Sequence, residues 1–464
     1  MKLDFSKLDR AFKPKTLAIV GDRPDGLWFP MTKDFKGKRY SVQVNPETAK
    51  AIEAAGIENY PNLVDIPGPV DLVIVSAPRA AALQIVDDCI RKDVGAVHMF
   101  TAGFSETNSE EWTKVEQQIA EKAKAANLHL IGPNCMGIYS PSVGIGQNVW
   151  EYDGTSEPIG IISQSGTHTT TFGQLSHFQG MNMNISVSFG NGIVLDSADY
   201  LEYFDYNPEI KVIGMYIEGI KDGRKFLKVL KDVSSRKPVV IWKGGRTEGG
   251  ERAIASHTGS LAVSGAVWNA ALKQCGAVKV DGVEELIDTM KALLYLPPVF
   301  GNRVGIVGSS GGQSVSIADA FAEAGFSVPK PGKESYKELD EFFSLIGGGY
   351  ANPIDTGTAN RQQIQRIMDI LERDPNIDNL VLLTGARWGK IFTPESDFGL
   401  MAKLHKKTTK PVVAIVAFST AEEMKRTRDD TKRFQESGVP GFPTIERGAR
   451  ALWNAYQYYR NKEG

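Results

Sequence analysis

One histidine in this chain sits in a setting suited to group transfer. His257 lies in Ala255-Ser256-His257-Thr258-Gly259-Ser260, flanked by hydroxyl and small residues. Upstream are an apolar run, Val239-Val240-Ile241-Trp242, and a glycine-rich turn, Lys243-Gly244-Gly245-Arg246-Thr247-Glu248-Gly249-Gly250. A neutral imidazole on a small-residue loop is accessible, nucleophilic near neutral pH and able to carry a phosphoryl group. A lone loop histidine is more commonly solvated or structural, so the assignment needs support from the rest of the chain. Ser163-Gln164-Ser165-Gly166-Thr167 gives some. It places free backbone amides at a helix start, with hydroxyl donors beside them, which is a ready anion site. Gly308-Ser309-Ser310-Gly311-Gly312 offers a similar turn. Either could equally be a tight strand-to-helix turn that needs small residues for packing.

These turns belong to a repeated local pattern. Thr16-Leu17-Ala18-Ile19-Val20-Gly21, Ile159-Gly160-Ile161-Ile162-Ser163 and Arg303-Val304-Gly305-Ile306-Val307-Gly308 each read as a short apolar strand entering a turn. In the first region further apolar runs occur at 41–44, 72–75, 96–100 and 128–131, with room for crossover helices over 80–92 and 109–126. Continuous rather than alternating apolar runs indicate strands buried on both faces, hence parallel sheets. The pattern predicts an α/β protein of three doubly wound domains, with boundaries near 145 and 298. Leu296-Pro297-Pro298 supports the second boundary by breaking the preceding helix, and the polar stretch 151–158 marks the first.

The bulk composition excludes several classes. At 464 residues the chain exceeds one ordinary core. A net charge of -2, without long charged blocks, does not point to nucleic acid or an anionic membrane. The start of the chain is too charged for a signal peptide, and no run approaches the ~20 apolar residues of a membrane span. Three widely spaced cysteines suit a reducing cytoplasm and argue against a disulfide framework or a zinc site, so no metal ligands are expected in the chain.

The ordered motifs carry a resemblance. They are Pro14-Lys15-Thr16-Leu17-Ala18-Ile19-Val20-Gly21, Val44-Asn45-Pro46, Asp65-Ile66-Pro67-Gly68-Pro69-Val70-Asp71-Leu72, and Thr101-Ala102-Gly103-Phe104-Ser105-Glu106. Gly132-Pro133-Asn134-Cys135-Met136-Gly137, Ser163-Gln164-Ser165-Gly166, Ser188-Phe189-Gly190-Asn191, Asp199-Tyr200-Leu201-Glu202-Tyr203-Phe204 and Tyr216-Ile217-Glu218-Gly219 follow. Lys243-Gly244-Gly245-Arg246-Thr247, Ser256-His257-Thr258-Gly259, Asn352-Pro353-Ile354-Asp355 and Phe442-Pro443-Thr444-Ile445-Glu446-Arg447 complete the set. Over nearly its whole length the chain resembles the α subunit of ADP-forming acyl-CoA synthetases, relatives of succinyl-CoA synthetase.

That resemblance implies a Rossmann-like domain over 1–145 that binds coenzyme A, a flavodoxin-like domain over 146–297 that carries a transiently phosphorylated histidine, and a third flavodoxin-like domain over 298–464. It implies His257 as the phosphorylated residue and Glu218 as the acceptor of its second imidazole N–H, fixing the tautomer. Phosphate would lie against Ser163, Gln164, Ser165, Gly166 and Thr167. Coenzyme A would lie against Gly21, Arg23, Val44, Asn45, Pro46, Ala77, Pro78 and Asn134. ATP, ADP and Mg²⁺ would come through an ATP-grasp β subunit in an α2β2 assembly, because nothing in the sequence looks like an ATP-grasp domain. The co-substrate would be a small carboxylic acid. Lys243 and Arg246 could neutralise phosphate or simply face solvent, and His168, Asp196 and Asp199 are further acid-pocket candidates. His98, His129, His177 and His405 read as structural.

Two departures from the family pattern stand out. The first turn reads Gly21-Asp22-Arg23-Pro24-Asp25-Gly26-Leu27-Trp28, and two carboxylates there would repel a pyrophosphate, with Arg23 compensating in part. Gly166-Thr167-His168-Thr169-Thr170-Thr171 is polar and β-branched where relatives carry small apolar residues, which points to an acyl pocket for an unusual acid, polar or aromatic. A non-catalytic acyl-CoA-binding or regulatory homologue is the alternative; His257 and Glu218 would be idle in it. An NAD-dependent dehydrogenase would need GxGxxG after the first strand and an acidic residue ending the second, where the chain has Gly21-Asp22-Arg23 and Asn45-Pro46.

Overall fold

The computed structural model describes residues 2–146, 154–257, 265–309, 311–343, 350–356, 359–384, 394–417 and 421–463. These residues form three α/β sheets in two compact units, one of residues 1–174 and 182–280, the other of residues 175–181 and 281–464.

The first unit holds two sheets. The chain builds β1 (Thr16–Val20), β2 (Lys38–Val42), β3 (Glu58–Tyr60), β4 (Leu72–Val75), β5 (Ala96–Met99) and β6 (His129–Ile131), all parallel in the order β3-β2-β1-β4-β5-β6. Alternate residues of β1 feed different cores: Leu17 and Ile19 pack on one face, Ala18 and Val20 on the other. Burial on both faces is why these strands read as unbroken apolar runs. The second sheet takes β7 (Gly137–Tyr139), β8 (Glu157–Ser163), β9 (Met183–Ser188), β10 (Val212–Ile217), β11 (Val239–Lys243) and β12 (Val278–Val280) in the order β12-β11-β10-β8-β9-β7. All its pairings are parallel except β7 with β9.

One apolar core runs through both sheets, from Leu17 and Ile74 to Ile162 and Ile213. The helix Phe5–Phe12, capped by the Asp4 side chain, crosses to the second sheet. Phe12 stacks on Tyr203 at 4.9 Å, and the Tyr203 hydroxyl donates to Asp9 at 3.0 Å. Segment 132–137 is stitched to the same sheet: Asn191 N donates to Pro133 O at 3.0 Å and Met136 N to Ser188 Oγ at 3.2 Å. Two sheets joined this way place their C-terminal strand ends beside one cavity.

The second unit is built on β13 (Val304–Ser309), β14 (Ile354–Asp355), β15 (Asn379–Thr384), β16 (Val412–Val416) and β17 (Gly441–Phe442), parallel in the order β14-β13-β15-β16-β17. The helix Val283–Tyr295 ends at Leu296, ahead of the two prolines, and packs on the helix Ile445–Glu463. Arg447 pairs there with buried Asp288 at 2.6 Å, and the Lys291 ammonium, fully buried, is satisfied by Gly441 O at 3.0 Å and Gln179 O at 3.1 Å. Such a charge is tolerable only because its donors are used.

Two buried histidines give the first unit an acid sensitivity. His98 on β5 packs edge-on to Trp28 and shares a hydrogen bond with Cys135 O at 3.1 Å; burial pulls its pKa down to about 4. His129 Nε2 accepts from Asp4 N at 3.1 Å, and burial with nearby Lys7 likewise pulls it down to about 4. Both rings are neutral when folded and regain an ordinary pKa near 6.5 when unfolded. Stability is therefore full above pH 6.5 and falls as the pH drops toward 4, by up to about 3 kcal/mol for His98. Urea midpoints across that range should show a shallower pH slope in His98→Gln than in wild type; equal slopes would remove His98 from the account.

Candidate functional site

Where the C-terminal ends of the two sheets meet, within the first unit, lies a cavity of about 980 Å³. Ligands of parallel α/β sheets bind at such strand ends, and the volume is at the upper end for small-molecule sites.

The first sheet contributes Gly21, Ala77, Pro78 and Arg79 from the turns after β1 and β4, with Phe100 and Thr101 beyond β5. Gly21 has φ +84°, and a Cβ there would come within 2.7 Å of Ala77 Cα, so only glycine permits this approach. Asn134, also in the left-handed region at φ +58°, lines the wall, and its amide donates to Asn191 Oδ1 at 3.4 Å. Asn191 is held in turn by Glu106 at 2.8 Å and Glu116 at 3.2 Å. Cys135 is buried beside it, its Sγ 3.7 Å from Met99 O, and desolvation pushes the thiol pKa up to about 12.

The rest of the predicted coenzyme site is elsewhere. Arg23, Val44, Asn45 and Pro46 do not line the cavity. Asn45 caps the helix Pro46–Ala54, accepting from Glu47 N and Thr48 N at 3.0 Å, while Pro46 takes its first turn. Val44 is 76% exposed at the end of β2. The two carboxylates of the first turn take different places. Asp22 turns inward and accepts from Trp28 N at 2.7 Å, and Asp25 is exposed with Arg23 3.9 Å away.

The second sheet contributes Gln164, Ser165, Gly166 and Thr167 after β8, Tyr216 near the end of β10 and Glu218 just after it, and Gly245, Gly250, Ala253 and Ile254 beyond β11. Register aligns Ser163, Tyr216 and Trp242 across β8, β10 and β11, so their following residues open on one side. Ser163 lies beneath the loop, fully buried, its Oγ accepting from Ser165 N at 3.2 Å. The Gln164 side-chain oxygen Oε1 accepts from Glu218 N at 2.8 Å and Gly219 N at 3.0 Å, fixing the two turns against each other. Among the described residues the amides of Gly166 and Thr167, at the start of the helix Gly166–Phe178, have no hydrogen-bond acceptor. Those two donors are what the loop presents to an anion.

Glu218 is half-buried on the cavity wall. The Tyr216 hydroxyl is hydrogen-bonded to it, and burial with this carboxylate raises the phenol pKa. Lys243 Nζ donates to Glu218 O at 2.7 Å and Gly244 O at 2.5 Å, so this ammonium is consumed by the backbone, and burial lowers its pKa. Lys243 and Arg246 face a separate cavity of about 240 Å³. Asp196 and Asp199 form the capping box of the helix Ser197–Tyr206, and Asp199 pairs with Lys225 at 2.5 Å. His168 packs its ring 4.2 Å from Tyr216 and 4.7 Å from Trp242, with burial lowering its pKa. Thr169 and Thr171 turn their hydroxyls back to Ser165 O and Thr167 O at 2.9 and 3.0 Å, and Thr170 to Gly166 O at 3.4 Å. That i−4 bonding explains how a polar β-branched run stays helical, and it directs those hydroxyls away from the cavity.

His257 was expected on a loop; its position is instead the last residue of the helix Glu248–His257. Thr247 starts this helix, its hydroxyl accepting from Gly250 N at 3.2 Å, and an exposed Arg252–Glu248 pair spans its first turn, partly offsetting the two glycines. Its side chain lies outside the described residues, as do Thr258 to Ser264. Helical spacing places position 257 on the face of Gly250, Ala253 and Ile254, all of which line the cavity. Arg79, Tyr216 and Cys135 were not singled out from the sequence; a charged residue directly after a strand end was the available signal for Arg79.

A cavity shared by two α/β sheets defines a class of ligand-binding architecture, and comparison with known proteins gives the family. Residues 15–141 match the CoA binding domain family, and residues 156–293 match the family described as the succinyl-CoA ligase like flavodoxin domain. The acetate–CoA ligase (ADP-forming) II subunit alpha of Pyrococcus furiosus is 32% identical, over 98% of this chain and 99% of that one. The acetate–CoA ligase (ADP-forming) I of Archaeoglobus fulgidus is 33% identical over 96% of this chain, which spans 63% of that longer protein. Among solved structures, the Ca. Korarchaeum cryptofilum dinucleotide forming acetyl-coenzyme A synthetase 1, in complex with phosphate and ADP, superposes with a TM-score of 0.84. It is 30% identical, covering 98% of this chain and 97% of that one. The chain belongs to the ADP-forming acyl-CoA synthetase family, as an α-type subunit.

Proposed function

We propose that this chain binds coenzyme A and carries the phosphohistidine of an ADP-forming acid–thiol ligase. It would interconvert acid, coenzyme A and ATP with acyl-CoA, ADP and phosphate. A carboxylate oxygen is a poor leaving group until phosphorylated. ATP, bound with Mg²⁺ on an ATP-grasp β subunit, gives its γ-phosphoryl group to His257. The acid takes that group to become an acyl phosphate, and the coenzyme A thiol displaces phosphate. Phosphoryl transfer depends mainly on alignment and charge stabilisation. In this reading the amides of Gly166 and Thr167 hold phosphate, and Ser163 and Gln164 shape the loop. Glu218 accepts the second imidazole N–H of His257. Coenzyme A enters past Gly21, Ala77, Pro78 and Asn134. An α2β2 assembly in the cytoplasm completes the proposal; the three buried free cysteines suit a reducing compartment.

The observation that carries the reading is one cavity lined by the glycine turn of the first sheet, open helix-start amides, Glu218 and the face of the helix that ends at His257. The test is incubation of the full chain with a candidate ATP-grasp partner, Mg²⁺ and γ-labelled ATP. Acid-labile, base-stable label on the chain is expected. A demonstrably ATP-binding partner that leaves the chain unlabelled would shift the reading to a binding or regulatory homologue.

A further inference from the structure

We propose that Arg79 anchors the diphosphate of coenzyme A, a role that rests on the coenzyme A reading above. The diphosphate is the ligand's central anionic group, and the wall that receives it needs a cation. Among the described residues that line the cavity, Arg79 is the only lysine or arginine. The other nearby cations stand outside it: Arg23 is exposed to solvent and does not line the cavity, and Lys243 is bound to two carbonyl oxygens.

Arg79 is also pre-set. Its guanidinium lies over the Trp112 ring at 4.0 Å, and Nη1 donates to Gly103 O. Gly103, at φ +100°, leaves the room for this: a Cβ there would sit 2.8 Å from Nη1. Among the described residues no ion pair to a carboxylate is formed by Arg79, and its one hydrogen bond, to Gly103 O, leaves Nε and Nη2 over. A half-buried guanidinium held on an aromatic face, with an edge of donors left over, matches a bidentate anion.

Its place in the sheet selects the diphosphate over the 3′-phosphate. The strand order β3-β2-β1-β4-β5-β6 reverses between β1 and β4, and a nucleotide lies across that switch point with its diphosphate at the crevice. Gly21 follows β1, and Arg79 follows β4 by the short turn Ser76-Ala77-Pro78. The guanidinium therefore stands at the crevice, one strand away from the β2 end where a ribose-side group would lie.

Binding of coenzyme A and of dephospho-coenzyme A to the full chain, measured by titration calorimetry at two salt concentrations, tests this with wild type, Arg79→Ala and Arg79→Lys. The expected result is a loss of about 10- to 100-fold for both ligands in Arg79→Ala, with a weaker salt dependence than wild type and partial recovery in Arg79→Lys. Undiminished affinity in Arg79→Ala overturns the proposal. So does a loss seen with coenzyme A but not with dephospho-coenzyme A, which would place Arg79 at the 3′-phosphate. An affinity loss that keeps the wild-type salt dependence overturns it too, as collapse of the Gly103 loop. If wild type binds neither ligand, the coenzyme A reading itself fails and takes the proposal with it.

Discussion

A His257→Ala chain, mixed with a candidate ATP-grasp partner, Mg²⁺ and γ-labelled ATP, should take up no acid-labile label, and acyl-CoA formation should fall by about 10⁴-fold or more. A covalent carrier has no substitute when its only nucleophilic atom is removed, so the loss is that of the whole pathway rather than of one contact. The position supports the choice of residue. Gly250, Ala253 and Ile254 line the cavity, and 257 continues their helical face. The substitution falls at the end of a helix whose start is secured separately at Thr247, so folding and coenzyme A affinity should match wild type. Label on the variant at the wild-type level would assign the carrier to another residue.

Glu218→Gln should slow label uptake by about 10²- to 10³-fold while leaving coenzyme A affinity unchanged. This variant is informative because the main chain around Glu218 is fixed independently of its carboxylate. Gln164 accepts from the amides of residues 218 and 219, and Lys243 donates to the carbonyl of 218. The Tyr216 hydroxyl, bonded to the carboxylate, can donate equally to a glutamine oxygen. Shape is kept and one negative charge is lost. The charge is what would hold the imidazole tautomer and stabilise the imidazolium-like transition state. Single-turnover labelling measures the effect; an unchanged rate would make Glu218 a structural residue at a strand end.

The architecture was legible because the strands are buried on both faces. The run at 72–75 is β4 with both ends as read, and Ser109 caps the helix that fills most of 109–126. What the sequence could not disclose depends on partners distant along the chain or on local hydrogen bonds. The two carboxylates of the first turn look alike in sequence, and only the fold shows that Asp22 turns inward to the Trp28 amide while Asp25 stays exposed. Thr167 lines the cavity, but Thr169, Thr170 and Thr171, which also read as pocket residues, bond their hydroxyls to their own helix. Lys243 could be read as a phosphate neutraliser or as a solvent-facing charge, and it does neither, bonding instead to the carbonyls of Glu218 and Gly244. Arg79 gains its setting from Gly103 and Trp112, neither of which its neighbours in sequence suggest. Of the phosphate loop, composition located the segment, and only coordinates separate Ser163, which is buried, from the open amides of Gly166 and Thr167.

The cavity has a sulfur of its own. Cys135 sits on the wall along which the coenzyme would approach, and an ionised thiol there would compete for an activated acyl group. With its pKa pushed up to about 12, roughly one molecule in 10⁵ carries the thiolate at pH 7. Burial thus makes the protein a silent bystander to a reaction it is chemically equipped to intercept. In the proposed reaction the acyl group would then stay on a carrier that can leave, rather than on the protein.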